Sequence, residues 1–166
     1  MTVSVRPARP GDVAAIVEVA RRAWTKGFEG VVPPDVMPDA DEMARLIGRY
    51  VAQPGEPVTV AVAELDRQLR GYVTFGPARD AETVGEVYAL YVDPSSWRRG
   101  AGRALVDHAL GRLAESGFSE AIVWTLAETP RSRRFYEALG FIDDGGTQRR
   151  PTTGGALEVR YRTRLA

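Results

Sequence analysis

The chain has 166 residues, 44% hydrophobic and 27% charged, with 22 basic side chains matched by 22 acidic ones. That length suits one domain with a single core, and zero net charge argues against a general nucleic-acid or membrane-surface role. No cysteine is present and His108 is the lone histidine, which leaves no basis for disulfides, thiol catalysis, a histidine metal cluster or a Ser-His-Asp triad.

Val3 to Ala8 reads as a first strand, closed by Pro10-Gly11. Asp12 is a plausible N-cap for a helix whose apolar residues Val13, Ile16, Val17, Ala20 and Trp24 keep helical spacing. Gly27 to Pro34 holds two glycines and two prolines and is a loop. Asp39 to Tyr50 predicts a second helix with Met43, Leu46, Ile47 and Tyr50 on one side, ended by Pro54-Gly55. Val58 to Glu64 and Gln68 to Phe75 predict a hairpin turning at Asp66-Arg67, with Gly76-Pro77 closing its second strand.

Val87 to Val92 is apolar, β-branched and aromatic, the signature of a buried strand. Asp93-Pro94 stops it, because proline supplies no ladder N–H and restricts the residue before it. Leu105, Val106, Ala109, Leu110 and Leu113 then recur at helical spacing. Glu120 to Leu126 is a further apolar strand, which a right-handed crossover makes parallel to Val87–Val92. Pro130 opens a helix to Leu139, stopped by Gly140, and Phe141 begins a strand. Leu157, Val159, Tyr161, Thr163 and Leu165 alternate with Glu158, Arg160, Arg162 and Arg164, a half-buried strand paired antiparallel through the turn at Thr152 to Gly155. The sum is a mixed α/β sheet with helices on its faces. The opening MTVSVRPARPGD carries no apolar signal and no run reaches membrane length, so a cytoplasmic single domain over residues 1–166 is expected.

Between strand and helix lies Arg98-Arg99-Gly100-Ala101-Gly102-Arg103. Glycines there permit a tight turn and leave amide N–H groups bare at a helix N-terminus, where phosphate oxygens bind through free donors and helix dipole together. Alone, this Gly-x-Gly is a weak signal. It lacks the third glycine of a dinucleotide fingerprint and the Gly-Lys-Ser/Thr of a P-loop, and it is equally a tight connection with solvated arginines.

A second segment adds to it. Val92-Asp93-Pro94 with Arg99-Gly100-Ala101-Gly102-Arg103-Ala104-Leu105, followed by Arg134-Phe135-Tyr136-Glu137-Ala138-Leu139-Gly140-Phe141, resembles the acyl-CoA-binding and C-terminal motifs of the GNAT superfamily of N-acetyltransferases. The opening VRPARPGDVAAI is similar to that family's first strand and helix, so the resemblance covers nearly the whole chain. Two positions depart from it: Trp97 stands where Gln or Arg is usual, and Thr129 where asparagine is frequent.

The resemblance implies a mostly antiparallel sheet of six or seven strands with a parallel central pair and about four helices. It implies acetyl-CoA as co-substrate, with no metal. Backbone amides of Arg98, Arg99, Gly100, Ala101, Gly102, Arg103 and Ala104 would hold the pyrophosphate, aided by the side chains of Arg98, Arg99 and Arg103. Thr129 and Arg131 join the same cofactor set. The backbone of Leu90, Tyr91 and Val92 would pair with the pantetheine arm and offer an oxyanion donor.

Tyr136 is the implied general acid, since a phenol with a pKa of about 10 stays protonated at neutral pH. An alkylamine is only about one part in a thousand neutral at pH 7, a deficit of roughly 4–5 kcal/mol, so a base helps. Glu86 occupies a position where family members carry a glutamate. Strand alternation puts it on the face of Tyr88 and Leu90 unless a bulge resets the register, and Glu128 or a water chain is the alternative. Trp24, Phe28 and the Gly27–Pro34 loop are candidates to shape the acceptor pocket, with Tyr72 or Tyr88 as floor. His108 is expected at the surface. The expected partner is a small-molecule or peptide amine, with neither nucleic acid nor membrane, and a homodimer is compatible with the C-terminal strands. A sensor that binds acyl-CoA without turnover is the rival reading.

Overall fold

Among the residues described by the computed structural model, 2–52 and 57–166, seven strands and four helices form. In chain order they are β1 (Val3–Pro7), α1 (Val13–Gly27), α2 (Ala40–Ala52), β2 (Thr59–Leu65), β3 (Gln68–Pro77), β4 (Gly85–Val92), α3 (Ala101–Glu115), β5 (Glu120–Leu126), α4 (Pro130–Ala138), β6 (Ile142–Arg149) and β7 (Leu157–Arg164). They build one sheet in the order β1-β2-β3-β4-β5-β7-β6. Every pairing is antiparallel except β4 with β5. The expected stop of the second helix at Pro54-Gly55 lies outside the described residues.

Both faces of the sheet are covered. Val60 and Val62 of β2 pack with Ile16, Val19 and Ala20 of α1 and Ile47 of α2, while the alternating Ala61, Ala63 and Leu65 face the other way. On that second face Leu105, Val106, Ala109 and Leu113 of α3 meet Val73, Phe75, Val87 and Val123. The apolar stripe read along α3 is thus the surface that docks it.

Three local readings are corrected. Asp12 stands at the N-cap position of α1, but its side chain makes no cap bond: the carboxylate accepts from both terminal nitrogens of Arg6 at 2.8 and 2.9 Å and from the Arg9 N–H at 2.7 Å. The planar guanidinium fork and the one-turn helix Pro10–Asp12 hold it away from the α1 amides. Leu46 shares one side of α2 with Met43, Ile47 and Tyr50, as expected, though it is 42% exposed. His108 is half-buried, its ring edge-on to Phe75 at 6.3 Å, and burial lowers its pKa. Glu158, read on the polar face of the last strand, is only 2% exposed.

A bulge settles the register of β4. Thr74 pairs with Ala89 and Phe75 with Val87, so Tyr88 is the extra residue. Beyond it Leu90 and Val92 pack on the α3 face, and Tyr91 packs on the α1 face. Glu86 therefore does not share a pleat with Leu90.

Candidate active site

Strands β4 and β5 pair over three residues only, Gly85–Val87 against Ala121–Val123. Both continue, β4 to Val92 still bonded to β3, and β5 to Leu126 still bonded to β7. Past Val87 their facing edges diverge, leaving backbone donors and acceptors of a central strand without a ladder partner. One is covered locally: the Trp97 indole donates to the Val92 carbonyl at 2.8 Å. The opening leads into a cavity of about 590 Å³.

The turn after β4 ends in the geometry that an oxyanion of a phosphate prefers. Asp93, 2% exposed, accepts from the Ser95 N–H at 3.0 Å and the Ser95 hydroxyl at 2.6 Å, fixing the chain's exit from the strand. Arg98 and Gly100 then take left-handed φ values of 64° and 89°. The first bond inside α3 runs from the Ala104 N–H to the Gly100 carbonyl at 3.0 Å. The amides of Gly100, Ala101, Gly102 and Arg103 precede it, at the positive end of a 15-residue helix. A Cβ on Gly102 would meet the Phe135 ring at 3.2 Å, so glycine lets α4 come close to this turn. Arg98, Arg99 and Arg103 are exposed around it. Beside it the Arg131 guanidinium stacks 3.7 Å from the centre of the Trp97 ring, and burial, with the charge of Arg98, lowers its pKa.

Tyr136 lies where the two halves meet. It is 7% exposed, edge-on to Phe135 at 5.1 Å and Phe141 at 5.5 Å, and it lines the cavity. Burial first, and then the neighbouring Tyr91 hydroxyl, raise its pKa, so the phenol stays protonated throughout the neutral range.

The aromatic residues form one wall. Trp24 lies 4.8 Å from Phe28 and 6.3 Å from Tyr91, and Tyr72 is 5.7 Å from Tyr91. Burial holds Tyr72 well above its ordinary pKa and pushes Tyr91 up to about 12. The Trp24 indole N–H is buried without a partner among the described residues. Tyr88 donates to the Pro77 carbonyl and lies under the Arg79 guanidinium at 5.1 Å, with burial raising its pKa to about 12.

Trp24, Phe28, Tyr72, Tyr88, Leu90, Tyr91, Val92, Arg131 and Tyr136 thus line one cavity. Glu86, Glu128 and Thr129 do not. Glu86 is 2% exposed beneath the diverging strands, accepting from the Arg79 N–H at 3.2 Å, with the Arg79 side chain at 3.7 Å. Burial raises its pKa, and the Arg79 amide and charge only partly offset that. Glu128 is exposed, and the Thr129 hydroxyl donates to the Leu126 carbonyl at 2.9 Å.

Sequence reasoning missed the far end of the cavity. Glu158, Arg150 and Thr153 line it, and Glu158 accepts from Arg150 Nε at 3.0 Å, Arg150 Nη2 at 2.9 Å and the Thr153 hydroxyl at 3.0 Å. Glutamate among alternating arginines reads as a solvated face, and the bend that brings Arg150 back over the sheet leaves no periodic signal. That bend includes the one-turn helix Pro151–Thr153, which touches the one-turn helix Pro34–Val36 from the loop between α1 and α2.

The sequence profile of the acetyltransferase (GNAT) family matches residues 14–141. The chain belongs to this family. Among GNAT relatives, the uncharacterized N-acetyltransferase YuaI of Bacillus subtilis is 30% identical over 138 residues, covering 82% of this chain and 78% of its own. A mycothiol acetyltransferase of Sanguibacter keddieii is 35% identical over 145 residues, covering 84% of this chain but only 43% of its own. The fold is likewise that of solved GNAT proteins. The PaiA N-acetyltransferase of Thermoplasma acidophilum, in complex with coenzyme A, superposes with a TM-score of 0.78 at 16% identity over 98% of this chain and all of its own. The phosphinothricin acetyltransferase of Sinorhizobium meliloti, in complex with acetyl-CoA, gives 0.77 at 24% identity over 100% of this chain and 90% of its own. The expected sheet, its parallel central pair and its helices are those of the family.

Proposed function

We propose that this GNAT protein is an acetyl-CoA-dependent N-acetyltransferase that passes an acetyl group directly to a primary amine. The carrying observation is the divergence of β4 and β5 beside a helix N-terminus, with Tyr136 in the wall between. Two fold neighbours bound to coenzyme A or acetyl-CoA add support.

In this reading the amides of Gly100 to Arg103 hold the pyrophosphate. Arg98, Arg99 and Arg103 add charge-assisted contacts, and Arg131, propped on Trp97, borders the same path. The free edge of β4 at Leu90 to Val92 takes the pantetheine amides as an added strand. An N–H of that edge is aimed at the thioester oxygen, where negative charge develops. The amine nitrogen bonds to the carbonyl carbon, the C–S bond breaks, and the sulfur takes the Tyr136 proton. Glu86, its affinity for a proton raised by burial, receives through water the proton the ammonium loses before attack, and the proton the nitrogen sheds after attack restores the Tyr136 phenol. Because Glu86 is not in the cavity wall, direct contact with the amine is not part of the proposal.

The test is release of free thiol from acetyl-CoA against a panel of amines, with acetyl-CoA binding measured by calorimetry. The protein has no cysteine, so every thiol detected belongs to coenzyme A. Turnover that falls about 100-fold or more in Tyr136→Phe supports the assignment. Tight binding without turnover on any amine would instead favour a sensor, and absence of binding would end the reading.

A further inference from the structure

Glu158 is the only acid lining the cavity among the described residues, and it is 2% exposed. It stands on β7 opposite Leu126, at the open end of β5. Besides the two bonds from Arg150 and one from Thr153, it accepts from Gln148 Nε2 at 3.2 Å. Four donors fill the sites a carboxylate offers, which leaves Glu158 unsuited to receive a second ammonium group of a polyamine or an aminoglycoside.

The same bonds orient Arg150. Its Nε and one Nη2 hydrogen are taken by Glu158, and the other three of its five donors have no acceptor among the described residues. The side chain is 28% exposed and lines the cavity. Arg150, Glu158, Tyr91 and Tyr136 all line this one cavity. A planar fork that a buried carboxylate holds through Nε and Nη2, with three donors left over on a residue that lines a cavity, can receive a second carboxylate. Trp24, Phe28, Tyr72 and Tyr91 add an aromatic wall to the same cavity. Arg79 supplies a further cation at the rim, 52% exposed.

We propose that the acceptor is an amine that also carries a carboxylate, an apolar or aromatic α-amino acid or its close analogue, with the carboxylate on Arg150 and the apolar body against the aromatic wall. The proposal rests on the acetyl-transfer reading above. Glu158 is a positioning residue within it.

The experiment compares phenylalanine, methionine and leucine with their primary amides and their decarboxylated amines. Each is measured for kcat/KM with acetyl-CoA and, by calorimetry, for binding to the enzyme saturated with coenzyme A. Wild type is set beside Arg150→Met/Glu158→Gln, a pair that leaves no buried charge unmatched. Expected is a preference of about 10–100-fold for the free carboxylate, the scale of one or two charge-assisted hydrogen bonds. The double variant should lose that preference and keep its acetyl-CoA affinity.

Equal use of amides and amines in wild type would overturn the acceptor class while leaving acetyl transfer intact. A preference that survives in the double variant would overturn the role of Arg150. If nothing turns over, calorimetry decides: carboxylate-dependent binding lost in the variant upholds the inference against a failed catalytic reading, and no binding by any member ends it.

Discussion

Replacing Arg150 by methionine should be among the most damaging single changes outside the apolar core. Methionine matches the length of the stem and keeps the packing, so the loss is electrostatic. Glu158, 2% exposed, would keep the Thr153 and Gln148 donors but lose its counter-charge and both guanidinium bonds. Removing one partner of a buried ion pair costs about 3–5 kcal/mol. Arg150 is 28% exposed, so water can reach the vacated side and about 2–4 kcal/mol is the expected loss. For a domain of this size that is about 4–16 °C in Tm. Glu158→Gln should be milder, about 1–2 kcal/mol, because the amide still accepts hydrogen bonds and the freed guanidinium can turn toward solvent. The double variant should then cost about what the milder single does, giving a coupling energy of about 2 kcal/mol or more. Urea unfolding of the four proteins, with m held common, measures the cycle. An Arg150→Met loss under about 1 kcal/mol, or strict additivity, would refute the buried-pair argument.

Gly100→Ala should lower stability by about 1–2 kcal/mol and weaken acetyl-CoA binding, since φ is 89° and no atom lies within 4 Å of the added Cβ to blame instead. Gly100→Asn, tolerant of that conformation, should recover part of both, as calorimetry and thermal melts will tell. Arg131→Ala should weaken acetyl-CoA binding by removing the cation stacked on Trp97, with a stability change of about 1 kcal/mol or less, since the arginine is exposed and the ring half-buried. Glu86 carries a folded pKa raised above its unfolded value, chiefly by burial. Unfolding in that window therefore releases a proton, and stability falls as pH rises from the unfolded value through the folded one. Wild type minus Glu86→Gln isolates this slope from the carboxylates Asp12, Asp93 and Asp144, whose pKa values are lowered and whose slopes run the opposite way. A flat difference curve would contradict it.

Much of the fold was legible because its signals are local. Glu120 to Leu126 is apolar and bounded by polar residues, and β5 has those limits. The strand, glycine turn and helix from Val87 to Leu113 were readable from period and breakers alone, and Tyr136 was reached through its motif. What escaped was non-local. The bulge at Tyr88 depends on how β3 and β4 pair, and the three-residue contact of β4 with β5 depends on how they twist apart. Asp12 had the right residue type for a cap, but Arg6, six residues earlier, holds it elsewhere. Arg150 and Glu158 meet across a turn whose sequence, RRPTTGG, announces a bend and not its direction.

The short junction of β4 with β5 divides the sheet's hydrogen bonding into two ladders, β1 to β4 and β5-β7-β6, with three residue pairs between them. Beyond the bulge at Tyr88, successive amides of β4 point in turn toward β3, where they are bonded, and toward the opening, where they have no ladder partner. Hydrogen exchange along Ala89 to Val92 should therefore run in a fast-slow rhythm, while β3 stays uniformly slow. A pantetheine arm laid along the opening would bond the fast set, and the rhythm would flatten. The cofactor would then act as the sheet's missing strand, joining two ladders that the chain by itself leaves nearly separate.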